Sequence, residues 1–249
     1  GVVGIALMLP TALAFGGIKN VITARPIGHL VRNAIHFLGQ FGWFYGIAHL
    51  AFADVTALNS TMPIFGVLLA VIFLGERLTW PRVVVILFGF VGVLFVIRPG
   101  VIPFEVAVSV TIVGSLCYAI SIVMVKALTV TEPPLRIVFY MMAMQCVFAL
   151  VLTGGQITVP RLAEMPWVII VGISGLTAHY CMARSVSMAD ASVVMPISFL
   201  SLPVMAAIGY AFYGENLDPY TLGGGVLILA ATYLNIVWSR RRAAGPQQL

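Results

Sequence analysis

Residues 63–78 read PIFGVLLAVIFLGERL, and residues 203–217 read PVMAAIGYAFYGENL. Each carries a proline into an apolar, helix-length run, stops it at Gly-Glu and places Leu two residues later. The echo reaches further back. HLAFAD at 49–54 answers SVSMAD at 185–190, 136 positions on. Gly75-Glu76 answers Gly214-Glu215 at 139 positions, so the second copy gains three residues, around VVMPIS at 193–198. The chain reads as an internal repeat.

Composition decides the solvent of that repeat. The chain is 61% hydrophobic and 8% charged, with a mean hydropathy of +1.09; soluble domains carry about 25% charged residues. No water-facing surface can be built from this pool. In lipid the backbone must pair with itself, which leaves helices or a closed barrel. Barrel strands alternate polar and apolar residues, and VVVILFGFVGVLFVI at 83–97 does not. The fold class is therefore all-α integral membrane. Cys117, Cys146 and Cys181 show neither CxxC spacing nor an even count, so no metal site or disulfide frame is expected, and no cofactor. The net charge of +5 comes from scattered basic residues, except Arg240, Arg241 and Arg242, and does not point to nucleic acid.

A helix crossing the hydrocarbon core needs about 20 apolar residues. Nine runs qualify: 1–16, 29–50, 54–74, 80–98, 104–127, 135–154, 166–187, 190–213 and 218–238. With the terminal arginines in the cytoplasm, alternation gathers Lys19, Arg25, Arg32, Arg77, Arg82, Lys126 and Arg136 on the same side, and leaves Arg98 and Arg161 outside. Nine spans then put Gly1 outside. The 136-residue offset also asks for a partner of span 104–127 upstream of Gly1. Both arguments predict a further helix before the first. The expected organisation is a first repeat at 1–98 (helices 2–5), a second at 104–238 (helices 6–10) and a basic cytoplasmic tail at 239–249. A five-helix unit repeated in tandem is inverted the second time, and inverted repeats in secondary transporters hold substrate near the membrane midplane.

The pattern of Ala-Asp, helix, Pro, helix and Gly-Glu-x-Leu, then a Gly-bearing helix, present twice, resembles the EamA family of the drug/metabolite transporter superfamily. AHYCMARSVSMADASVVMPISFLSLP, followed by YGENLDPYTLGGGVLI, is similar to its bacterial members. The resemblance implies ten helices with both termini cytoplasmic, in a bacterial inner membrane. It also implies export or uptake of small organic solutes; family members include amino-acid and metabolite exporters and importers of vitamins or nucleoside-like compounds.

The repeated acids read as turn-builders. Glu76 and Glu215 each follow a Gly that can end a helix, and each precedes a helix start, at Thr79-Pro81 and Asp218-Pro219. Asp54 and Asp190 open spans in the same way. The glycines at 89, 92 and 223–225 suit close helix packing. Pro63, Pro196 and Pro203 predict bends within spans.

Polarity at depth marks the candidate site. Asn33, His36, Gln40 and Trp43 are spaced to share one helix face. Thr177, Tyr180 and Arg184 share another, with His179 beside them; Thr56, Asn59 and Pro63 align on a third. Tyr118, Ser198 and Ser201 lie within spans. The candidate substrate-binding residues are His36, Gln40, Trp43, Asn59, Tyr118, His179, Tyr180, Arg184 and Ser201. Arg184 either snorkels to the cytoplasmic interface or meets a solute's anionic group; no acid lies at its depth, because all eight acids sit at span ends. A coupling proton would therefore fall to His36 or His179 or to a group on the expected upstream helix, with facilitated diffusion or exchange as the alternatives to proton coupling. The expected partners are the bilayer and a small-molecule substrate, with a coupling proton and a homodimer kept as candidates. An intramembrane enzyme would need clustered ligands or a nucleophile with its base, and His29, His36, His49 and His179 form no HExxH. A passive assembly protein explains the helices but not the duplicated plan. The expected function is secondary-active transport of a small organic metabolite, not catalysis.

Overall fold

The computed structural model describes residues 4–7, 21–50, 52–97, 106–156, 159–214 and scattered positions between 219 and 238. Most of the first expected span, Glu105, Glu215, Asp218 and the basic tail lie outside the described residues. Every regular element among the described residues is helical. In chain order these are α1 (Pro26–His49), α2 (Phe52–Asn59), α3 (Met62–Leu74), α4 (Trp80–Ile97), α5 (Val106–Leu128), α6 (Pro134–Leu152), α7 (Met165–Met188), α8 (Ala191–Val194) and α9 (Ser201–Tyr213), with 3-10 turns at Leu162–Glu164 and Met195–Leu200.

Five stretches among the described residues have the length and apolarity to cross a membrane: Asp54–Leu74, Val106–Leu128, Pro134–Leu152, Leu162–Met188 and Ala191–Phe212. The chain is a multi-pass membrane protein. At 24 residues α1 is long enough too, but its polar face dilutes its apolar character.

Two of these stretches are broken helices, and the breaks have local causes. Between α2 and α3 the Ser60 hydroxyl donates to the Thr56 carbonyl at 2.8 Å, and the Thr61 hydroxyl to the Leu58 carbonyl at 2.7 Å. The Thr56 carbonyl keeps its helical bond from the Ser60 N–H at 3.1 Å, whereas the Leu58 carbonyl takes the Thr61 N–H at 3.1 Å, three residues on, and the ladder tightens there. Pro63 sits in the first turn of α3, where its missing N–H costs no bond. In the second broken stretch the chain winds from α8 through 3-10 helix at Met195–Leu200 into α9. The tighter winding falls where the repeat offset places its three additional residues. Both stretches end on a left-handed glycine, Gly75 at φ 66° and Gly214 at φ 65°. A side chain is strained there, and glycine is not.

The chain forms two compact units, each drawing on both halves of the sequence. The first comprises Gly1–Phe37 and Met124–Ala189, the second Leu38–Val123 and Asp190–Leu249. The first buries Ile137, Val138 and Met141 together with His29, Asn33 and His36. The second packs Ala70, Ala119, Val123, Ala191 and Met195 into one apolar cluster and Ala57, Phe199 and Leu202 into another. Here α1 and α5 meet backbone to backbone. A Cβ on Gly42 would lie 2.8 Å from the Val110 carbonyl oxygen and 2.9 Å from Gly114 Cα; one on Gly39 would lie 3.1 Å from the Gly114 oxygen. Small residues let helices approach this closely where lipid supplies no hydrophobic drive between them. Gly89 likewise leaves room for the Phe199 ring.

Candidate functional site

The site begins with the amphipathicity of α1. Asn33 is fully buried and His36 is 6% exposed, whereas Leu38 is 59% and Phe41 51% exposed. Gln40 and Trp43, further along the polar face, are half-buried. A helix on a water-soluble protein turns its apolar stripe inward. This one turns its polar stripe inward, as lipid requires.

The buried polar face runs one turn further toward the N-terminus than the four-residue stripe suggests. His29 is fully buried and Arg32 is 4% exposed. Arg32 was expected among the charges at the cytoplasmic surface; instead it is enclosed by protein. Arg32 Nη1 donates to Asn33 Oδ1 at 2.6 Å. Asn33 Nδ2 donates to the sulfur of Met144 at 3.2 Å, and Gln145 Nε2 to the Asn33 carbonyl at 3.5 Å. The His29 ring stacks on Tyr140 with centroids 4.6 Å apart, and the His36 ring meets His179 edge-on at 5.1 Å. Thus α1, α6 and α7 gather a polar cluster inside the first unit. Among the described residues, four of its buried atoms have no hydrogen-bond partner: both ring nitrogens of His29, Arg32 Nε and Gln145 Oε1. The sequence signal for the missed part was the spacing of His29, Arg32, Asn33 and His36, which continues one face.

Beside this cluster, in the turn between α5 and α6, sits Glu132, with its side chain 1% exposed. It accepts from the Thr23 hydroxyl at 2.6 Å, the Ala24 N–H at 3.3 Å and Arg136 Nη1 at 2.7 Å. Burial opposes its charge, yet the bonds from Thr23 and Arg136 and the Arg136 charge outweigh it, holding the carboxyl below its ordinary 4.5.

The structure brings His36 and His179 together among the nine candidate residues. Asn59 is tied to α5 through the Ser115 hydroxyl, 3.3 Å from its Oδ1. Tyr118 lies against α1 at Gly39, where an added Cβ would meet its ring at 3.0 Å. Ser201 donates to the Ser198 carbonyl at 2.7 Å. Tyr180 and Arg184 are exposed on α7. Arg184, for which the interface and a solute-facing role were both open, is exposed, and Arg32, assigned to the surface, is buried.

Glu76 reaches past its local helix. Its carboxylate accepts the N–H groups of Ala191 at 2.8 Å and Ser192 at 2.9 Å, and the Ser192 hydroxyl. It therefore caps α8, 115 residues away, rather than α4. Asp190, which opens α8, pairs with Arg82 at 2.9 Å. Asp54 lies in the first turn of α2. Among the described residues no three His, Cys, Asp or Glu side chains gather to hold a metal.

The model of the EamA-like transporter family matches residues 1–98 and 106–237. The S-adenosylmethionine uptake transporter of Rickettsia bellii (strain RML369-C) is 29% identical over 238 residues, covering 95% of this chain and 81% of that one. The pseudopaline exporter CntI of Pseudomonas aeruginosa (strain UCBPP-PA14) is 30% identical over 208 residues, covering 81% and 72%. The riboflavin transporter of Brucella anthropi (strain ATCC 49188) is 30% identical over 237 residues, covering 93% and 83%. Each of these relatives is named as a transporter rather than as an enzyme.

Proposed function

The chain belongs to the EamA-like transporter family, and we propose that it is a secondary carrier moving its solute by alternating access between two inverted repeats. The chain is a transporter of a small metabolite, as its relatives are. One observation carries the mechanistic reading. The α1 helix buries Asn33 and His36 while exposing Leu38 and Phe41. Polarity inside a membrane bundle costs free energy unless it meets a partner, water or a solute.

The repeats would be 1–98 and 104–238. Their support is the recurrence of a broken span with an aspartate at its start and a left-handed glycine at its end, Asp54 with Gly75 and Asp190 with Gly214. The setting is a bacterial inner membrane with residues 239–249 in the cytoplasm, because Lys and Arg concentrate on that side. The His36–His179 pair is the candidate for proton coupling, and a homodimer is the candidate assembly. S-adenosylmethionine is the first solute to test, since a relative named for its uptake aligns over 95% of the chain.

Entrance counterflow tests the carrier reading. Full-length protein in liposomes preloaded with unlabelled S-adenosylmethionine, riboflavin or another metabolite should transiently accumulate the labelled form of its substrate. Channels and non-transporting proteins do not. Label uptake no faster than in protein-free liposomes, across a broad metabolite panel, would end the proposal.

A further inference from the structure

We propose that Arg32, His29 and Gln145 form a subsite for the α-amino-acid head group of the carried solute: a carboxylate with an ammonium beside it. The inference deepens the carrier reading and rests on it. The ground is an inventory of polar atoms that the protein leaves unanswered.

Arg32 is 4% exposed, and no carboxylate lies within ion-pair distance of it among the described residues. A guanidinium stays protonated in proteins, so one uncompensated positive charge is enclosed. Asn33 takes a hydrogen bond from Nη1 but no charge; Nε has no partner. Buried charges are costly unless paired. The nearby acid cannot serve, because Glu132 is committed to Arg136, Thr23 and Ala24. That pair is neutral overall and leaves Arg32 without an anion. A carboxylate on the ligand would pair it directly.

The remaining free atoms define the rest of the ligand. A neutral imidazole has one donor and one acceptor nitrogen, and among the described residues His29 has partners for neither. Its donor can join Arg32 Nε on the carboxylate. Its acceptor and Gln145 Oε1, also unpartnered, call for a donor on the ligand. The stacking of His29 on Tyr140 and the bond from Gln145 Nε2 to the Asn33 carbonyl orient these groups before a ligand arrives. An acid alone leaves two acceptors unmet, and an amine alone leaves the arginine unmet. A zwitterionic head group answers both.

The test uses the full-length protein in phosphatidylcholine nanodiscs. Probes are S-adenosylmethionine and a panel of free L-amino acids, each beside its carboxamide and its desamino acid; the reading is affinity from thermal stabilisation. At least one zwitterion should bind, with its carboxamide and its desamino acid each weaker by about tenfold or more, the scale of one charge-assisted hydrogen bond. Arg32→Gln should abolish the preference for acid over carboxamide, and Arg32→Lys should restore part of it. The wild-type comparison stands even if Arg32→Gln fails to fold. Failure of every zwitterion to bind, equal affinity for acid and carboxamide, or an unchanged preference in Arg32→Gln overturns the assignment. So does stabilisation through Arg32 by phosphatidylglycerol alone. Head-group-dependent binding without counterflow would leave the subsite standing and remove the carrier reading. Counterflow confined to solutes lacking the head group would do the reverse.

Discussion

Ser192 gives Glu76 both its backbone N–H, at 2.9 Å, and its hydroxyl. One carboxylate thereby satisfies two of the free donors at the start of α8, counting Ala191, and places negative charge at the positive end of a helix. The turn after α3 and the start of a span 115 residues later become one structural element.

That junction should be expensive to break. Glu76→Ala leaves two backbone donors unpaired and should cost about 1–3 kcal/mol. Glu76→Gln, which keeps one acceptor, should cost less. The neighbouring pair is different: Asp190 is 53% exposed, so Arg82→Ala should cost at most about 1 kcal/mol. Thermal unfolding of the purified variants in one detergent ranks them. Equal melting temperatures for Glu76→Ala and Arg82→Ala would contradict the assignment.

Packing between α1 and α5 makes a paired prediction. Gly42→Ala drives a methyl into backbone, 2.8 Å from the Val110 oxygen, while nothing lies within 4 Å of a Cβ on Gly175. Gly42→Ala should destabilise by about 1–3 kcal/mol, as overpacking does, and Gly175→Ala should not. Detergent stability of the folded fraction on gel filtration reads the contrast.

Glu132 predicts a pH dependence. Its folded pKa is depressed from 4.5, so its contribution to stability is fully present above 4.5 and declines as pH falls through the folded value. Glu132→Gln should therefore be less stable than the parent at pH 7. The gap should close as both are titrated below pH 4.5. A gap that widens in acid would have the wrong sign.

What the sequence made legible was whatever repeats locally. The inward polar face of α1 follows from the spacing of Asn33, His36 and Gln40. The breaks in the two repeated spans fall beside their prolines, and the spans end at the glycines of the repeated Gly-Glu. What stayed hidden depends on distant chain. No spacing rule links Glu76 to Ser192. Arg32 read as a surface charge because it stands near one end of its span, where a long side chain can reach water; only the folded neighbourhood of Asn33, Tyr140 and Gln145 encloses it. For Arg184, depth along a span does not tell which way its face turns, and its exposure fits an arginine that reaches the interface as well as one that faces a solute path. The close approach of Gly39 and Gly42 to Gly114 likewise joins chain more than 70 residues apart and left no local signal.

Accessibility of one position on α1 tests the central claim most directly. In a variant with Cys117, Cys146 and Cys181 replaced, Gln40→Cys in oriented vesicles is exposed to a membrane-impermeant maleimide applied to either side. If the polar face of α1 lines a solute path opened to each side in turn, labelling should occur from both sides, and saturating substrate should shift the ratio of the two rates. Labelling from one side alone, unchanged by substrate, or none from either side, would contradict it.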